Sequence, residues 1–253
     1  MDTLITRCRR LISVTKTDFV RDIANRINWD CHLISIRGAR GVGKTTLMLQ
    51  YLKLHDIDYK SKLYVSLDSN YFTRHSLLDF VEKFYQQGGK HLFLDEVHKY
   101  PGWSNEIKEI YDSYPDLKLV ISGSSLIDIL NADADLSRRC IPYEMQGLSY
   151  REYLAMAHKI DLPIITLEEL LTSPESLCEN INNQCRPLAY FEEYLKQGYY
   201  PFILEGEQEY PIRIENVINF ILEVELPQLC NVDISNIRKI RSLLTILASK
   251  VPL

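Results

Sequence analysis

Hydrophobic positions set the first reading of the chain. In residues 17–28, TDFVRDIANRIN, the apolar side chains Phe19, Val20, Ile23, Ala24 and Ile27 recur at helical spacing behind a Thr17 or Asp18 cap. The spacing predicts a helix there. From residue 31 short apolar runs begin to alternate with longer amphipathic ones. HLISIRG, closed by glycine, reads as a strand, and GKTTLMLQYLKLH as a helix. SKLYVSLD is a second strand, followed by the helix HSLLDFVEKFYQQGG with its Gly-Gly stop. KHLFLDEV, LKLVISGSS and CIPYEMQ are strands three to five, separated by the helices WSNEIKEIYDSYP and SLIDILNADADLSRR. This alternation across residues 31–146 predicts a parallel sheet covered by helices on both faces.

The rhythm stops after residue 146. SYREYLAMAHKI reads as a helix, residues 159–187 are mixed and polar with several prolines, and LAYFEEYLKQ, IRIENVINFILEVELPQLC and ISNIRKIRSLLTILASK read as further helices. The expected division is an α/β domain over 1–146 and a smaller helical one over 147–253. Ile240, Leu243, Leu244 and Leu247 form an apolar stripe close to the last residue. Such a stripe asks either for earlier helices to pack on, for another chain, or for a longer chain than this one.

Composition narrows the class without naming a function. The chain has 253 residues, enough for a sizeable core, and a net charge of -5, which gives no general reason to expect nucleic acid as a partner. The basic spots Arg7, Arg9, Arg10 and Arg238, Lys239, Arg241 read as solvated helix faces. There is no apolar run of about 18 residues, and the N-terminus has no signal-peptide core. A cytoplasmic protein is expected. The six cysteines form no Cys-x-x-Cys pair and do not join histidines at metal-ligand spacing, so free, buried thiols are expected.

The chemistry begins between strand one and its helix. GARGVGKTT has the P-loop spacing, running Gly38, Ala39, Arg40, Gly41, Val42, Gly43, Lys44, Thr45, Thr46. Glycines let backbone N–H groups wrap a phosphate, and the following helix turns its positive end toward the anion. Lys44 is expected on the β- and γ-phosphates and Thr45 on Mg²⁺. The third strand ends in Asp95 and Glu96. In a parallel sheet that end lies beside the P-loop. Asp95 is expected to hold Mg²⁺, and Glu96 to orient and deprotonate an attacking water, which favours hydrolysis over phosphoryl transfer to another substrate. Ser122 or Ser124, at the end of strand four, is a candidate γ-phosphate sensor, with Ser124 taken first. Arg138 and Arg139 are candidates to neutralise developing charge. His98, Tyr100 and Trp103, just after the acids, are read as capping and packing residues. A guanine-reading motif is missing downstream, and TKTD at residues 15–18 precedes the loop and is read as accidental.

Taken together, RGARGVGKTTLMLQYL, LFLDEVHKYPGW, LVISGSS, LSRRCIPYEMQGLSYREYL and GYYPFILE resemble the AAA-type P-loop ATPases of bacteria and archaea, related to the STAND ATPases. The resemblance covers most of the chain. It implies a five-stranded parallel sheet in the order 5-1-4-3-2, followed by an all-α lid and the start of a winged-helix-like region. It implies that GLSYREYL bounds core and lid, and that Arg139 is a finger acting in cis or on a neighbouring subunit. It also implies that Pro201, in Gly198-Tyr199-Tyr200-Pro201, lies on the adenine side, with Tyr199 where the family has a second glycine. The leading expectation is an ATPase using ATP and Mg²⁺, alone or with a partner protein or in a homo-oligomer. The alternatives are a nucleotide-gated switch with negligible turnover, and a DNA-associated regulator in full-length form.

Overall fold

The computed structural model describes residues 1–124, 136, 138–230 and 232–250. Five parallel strands make one sheet: β1 (Leu33–Arg37), β2 (Lys62–Ser66), β3 (His91–Asp95), β4 (Lys118–Gly123) and β5 (Ile141–Glu144). Their order is β2-β3-β4-β1-β5, the order expected. Strands β1 to β4 are apolar along most of their length because both faces are covered, with Leu33, Ile34, Ile36, Leu92, Leu94 and Leu119 fully buried, whereas the edge strand β5 is largely exposed. Helices α2 (Lys44–Leu54), α3 (Leu77–Gln86) and α4 (Trp103–Ser113) are the crossovers between β1 and β4. The register aligns Ser66 with Asp95, Leu94 with Ile121 and Arg37 with Gly123, so these strand ends share one edge.

Two differences from the sequence reading lie at the N-terminus. A helix α1 (Asp2–Val14), of which only the solvated Arg7, Arg9 and Arg10 face was expected, buries Leu4, Cys8 and Ile12 against α2 and β2. The helix expected over 17–28 shrinks to a single 3₁₀ turn, Asp22–Asn25, preceded by extended backbone at Arg21. The Phe19 carbonyl, which such a helix would use internally, instead accepts the Gln50 side-chain amide at 2.8 Å, as does the Lys16 carbonyl at 2.9 Å. The helix expected over 125–139 falls almost entirely outside the described residues.

After β5 the chain is helical. α5 (Tyr150–His158) begins with a capping box in which Ser149 and Glu152 satisfy each other's backbone N–H groups. α6 (Leu167–Thr172) and α7 (Pro174–Gln184) occupy the segment left irregular by the sequence reading, α6 started by a Thr166–Glu169 capping box and α7 by Pro174. α8 (Leu188–Gln197) follows, and then α9 (Tyr210–Phe220), which runs through a π-helical turn (Ile221–Glu225) into α10 (Leu226–Cys230). α11 (Ile234–Lys250) ends the described chain and leaves Leu243, Leu244 and Leu247 exposed. A second, smaller core gathers Leu148, Tyr153, Met156, Ile203 and Tyr210. No helix among the described residues is long and apolar enough to cross a membrane. Cys8 is buried, as expected of a free thiol, but Cys178 is exposed.

Candidate functional site

The loop from Gly38 to Gly43 links the end of β1 to the first turn of α2. Gly43 caps that helix in the left-handed region, φ 101°, where a side chain would be strained. Gly41 needs its missing Cβ for space: one placed there would stand 2.9 Å from the Phe202 ring. Lys44 is buried, and its ammonium donates to the carbonyls of Gly38 at 2.7 Å and Ala39 at 3.0 Å, so the loop closes around it. Burial lowers the Lys44 pKa, opposed by the negative charges of Glu96, Asp95 and Glu225. Arg40, Gly43, Thr45 and Thr46 border a cavity of about 730 Å³ at this sheet edge.

Asp95, 3% exposed, is held by four donors. Its Oδ2 accepts the hydroxyls of Thr45 and Tyr64, each at 2.6 Å; its Oδ1 accepts the Ser122 hydroxyl and the Glu96 N–H, the latter at 3.1 Å. The structure therefore brings Thr45 and Asp95 together. It also adds Tyr64, which the sequence reading missed. A strand tyrosine carries no motif, and only the pairing of β2 with β3 brings it to the acid. Burial and the Asp95 charge push the Tyr64 phenol well up. The hydroxyl and carboxylate oxygens beside a buried ammonium are a donor set suited to a hard cation such as Mg²⁺. The glycine loop and Lys44 suit phosphates equally well.

Of the two serines, Ser122 meets Asp95, whereas Ser124, taken first from the sequence, donates to the Glu225 carboxylate at 3.2 Å. Glu96 has a left-handed backbone, φ 55° and ψ 44°, uncommon for a residue with a side chain and typical of constrained sites. Burial, and then the Asp95 charge, raise its pKa, against Lys44 and Arg40. The His98 side chain is 3% exposed, and its Nε2 lies 3.3 Å from Glu96 Oε2. Neither ring nitrogen has a well-formed hydrogen bond among the described residues. Burial, then Lys99 and Lys44, lower the His98 pKa to about 4, so the ring is neutral at pH 7. Tyr100 accepts the Leu77 N–H and donates to Glu106, tying the start of α3 to α4, while Trp103 opens α4.

The helices after β5 reach over the loop. Phe220 lies under the Arg40 guanidinium, 4.1 Å from ring centroid to Cζ, with the Lys99 ammonium 5.4 Å away. Glu225, in the π-helical turn, is buried against Ser124. Pro201, Phe202 and Arg213 line the cavity. Arg213 pairs with Glu205 at 2.6 Å, while its buried Nε has no partner among the described residues. No spacing in the sequence marks Phe220, Glu225 or Arg213, because helix packing alone brings them to Arg40, Ser124 and the cavity wall respectively. Tyr199 covers Gly147 with its ring and keeps a negative φ, so the residue at the family's second glycine is accommodated without strain.

Arg139 lies elsewhere. It precedes β5, whose Ile141 pairs with Ile34 near the start of β1, at the sheet edge away from the loop. Its guanidinium makes two bonds to Asp112, at 3.0 and 2.9 Å, which hold that carboxyl below its usual range. Of the two expected modes for Arg139, in cis or on a neighbouring subunit, neither is seen directly: it sits before the first residue of β5, whereas the loop follows the last residue of β1. Arg138, beside it, is exposed.

Residues 31–154 match the family described as AAA domain. The five-stranded order and flanking helices are those of the AAA-type P-loop fold, and with the match they support an AAA-type P-loop ATPase. Uncharacterized protein MJ1637 of Methanocaldococcus jannaschii is 27% identical over 237 residues, covering 86% of this chain and 48% of its own. The chain thus spans about half the length of that curated relative. Among solved structures, C. elegans PCH-2 is similar at 15% identity and TM-score 0.38 over 67% of this chain and 46% of its own. A closed-state Hsp104 with ATPγS and FITC casein matches at 17% and 0.46, covering 62% of this chain and 32% of its own. A DNA replication initiation factor matches at 16% and 0.40, covering 80% and 66%.

Proposed function

We propose that this chain binds ATP with Mg²⁺ and hydrolyses it to ADP and phosphate, with residues 1–146 as the core and 147–253 as a lid that moves with the nucleotide. The carrying observation is the convergence of Thr45, Tyr64 and Ser122 on the Asp95 carboxylate beside the P-loop, with Glu96 next in the chain. The N–H groups of Gly38 to Thr46 and the Lys44 ammonium hold the phosphates. Thr45 and Asp95 hold the metal, which when bound neutralises charge on the phosphate oxygens. Glu96 takes a proton from water as its oxygen bonds to the γ-phosphorus and the bond to the β,γ-bridging oxygen breaks, releasing ADP. Ser122 orients Asp95, and Ser124, which donates to Glu225, is the γ-phosphate sensor. Pro201 and Phe202 face the base. Arg139 is assigned to the γ-phosphate of a neighbouring copy, since its own loop is at the other edge. Kinship to the STAND ATPases and a cytoplasmic setting belong to the same reading.

Glu96→Gln tests it. ATP binding should stay within about threefold of wild type, while steady-state turnover falls at least about a hundredfold. Retained turnover would remove Glu96 from its role. A second reading, a nucleotide-gated switch with negligible turnover, is favoured by Phe220 lying against Arg40 of the loop and Glu225 against Ser124 after β4. Wild-type turnover indistinguishable from background, with ATP still bound, would select it.

A further inference from the structure

The phosphate loop does not stand on its own bonds. Arg21, 8% exposed, comes off the extended segment before the 3₁₀ turn and donates through Nη1 to the Val42 carbonyl, at 2.9 Å, in the middle of the loop. Its Nη2 donates to the carbonyls of Gln146 at 2.9 Å and Gly147 at 2.8 Å, where the chain leaves β5. Nε and Nη2 then reach the Glu152 carboxylate, at 2.9 and 3.2 Å, in the first turn of α5. Glu152 is itself saturated, accepting the Asp22 N–H at 2.9 Å and the Ser149 N–H and hydroxyl at 3.0 and 3.1 Å.

A buried ion pair of this kind costs desolvation on both sides, and an apolar pair of similar volume would fasten α5 to the core at least as well. An apolar pair could not donate to Val42. The planar fork of arginine can address the loop, the strand exit and the helix at once, which the single point charge of lysine cannot. The arrangement is therefore matched to the loop as well as to packing.

We propose that Arg21 is a positioning residue for the phosphate loop, fixing its arc through the Val42 carbonyl and tying that arc to α5 through Glu152. Its effect on ligand rests on the nucleotide reading; its effect on the loop does not. The full chain is compared as wild type, Arg21→Lys and the double variant Arg21→Gln/Glu152→Gln, which leaves no buried charge unpaired. Two quantities are read: affinity for a fluorescent methylanthraniloyl-ADP, and amide hydrogen exchange across residues 39–46.

The double variant should bind at least about tenfold more weakly, and its loop should exchange at least about tenfold faster, while β1 and β3 exchange as in wild type. Wild-type affinity and loop protection in the double variant would overturn the proposal and leave Arg21 as packing. If the double variant does not fold, Arg21→Lys decides by the same two readouts. If wild type binds no nucleotide, the functional reading fails by itself, and loop exchange alone judges Arg21: unchanged protection sinks it.

Discussion

The sheet with its crossovers and the helices after β5 are built to different standards. In the first, whole strands are buried on both faces, and Leu33, Ile34, Ile36, Leu92 and Leu94 have no exposed surface. In the second, α6, α7 and α8 bury no residue, and Leu171 and Leu188 are 73% and 85% exposed. The helical part has a small core of its own where Tyr153, Met156, Ile203 and Tyr210 gather, with Leu154, Leu222 and Ile237 also buried. Regions with few buried contacts open at lower free energy than a continuous core. The Gly38–Gly43 loop and the groups around Asp95 thus hang on the stiff part, and what covers them belongs to the soft part.

The sharpest way to break that contrast is to damage the stiff part. Phe93, 1% exposed on β3, packs between β2 and β4 and stacks on Tyr51 and Trp29 at 5.8 and 6.3 Å. Phe93→Ala should cost about 3–5 kcal/mol in urea unfolding, and bring loss of nucleotide binding with it because Asp95 ends the same strand.

A smaller effect is expected from pH at the boundary of the two parts. The unfolded chain takes up a proton at His98 near pH 6.5, whereas the folded chain, whose pKa is depressed to about 4, refuses it until then. Stability from this group is complete above pH 6.5 and is lost as pH falls toward 4, by up to about 3 kcal/mol. The charges around it are Lys99, Lys44, Asp68 and Asp95, with Glu96 at the ring itself. His98→Gln should flatten the difference in urea midpoint between pH 7.5 and pH 4.5 relative to wild type; an equal drop in both proteins would show that His98 is not the group responsible.

Tyr64→Phe should come next. It removes one hydroxyl from Asp95 and leaves the ring, which is 6% exposed, in place. Hydrogen bonds to charged groups are worth about 1.5–3 kcal/mol, and the three remaining donors on Asp95 argue for the lower end. The checks are urea unfolding without metal and the Mg²⁺ concentration for half-maximal turnover, which should rise several-fold. An unchanged Mg²⁺ requirement would make Tyr64 a packing residue only.

What could be read from the sequence follows the same division. The strands and their crossovers were legible because a buried parallel strand is a short apolar run and its helix an amphipathic one, and the glycines and Lys44 carry their spacing openly. The sheet then brings Asp95 to the loop with no further information. Tyr64, Arg21 and Phe220 were not legible. Each acts across a pairing or packing contact far away in the chain, and none has a local pattern to mark it. The 17–28 segment misled for a related reason. Its helical spacing is real, but Gln50 and the Arg21 network claim the backbone from outside.

The smallest effect is the most telling about the soft part. Leu171 is 73% exposed on α6, whose six residues bury nothing. If that helix is held only by its capping box and its neighbour α7, Leu171→Ser should change stability by less than about 0.5 kcal/mol and leave nucleotide binding and turnover at wild-type values. The chain offers Leu167, Leu170 and Leu171 on the same short helix, so a loss of 2 kcal/mol or more would mean that this surface is covered in solution by something beyond the described contacts. Urea unfolding at two protein concentrations separates the cases. A concentration-dependent midpoint in wild type that disappears in Leu171→Ser would identify the cover as a second copy of the chain, and the contrast between the two parts would then hold for the isolated subunit alone.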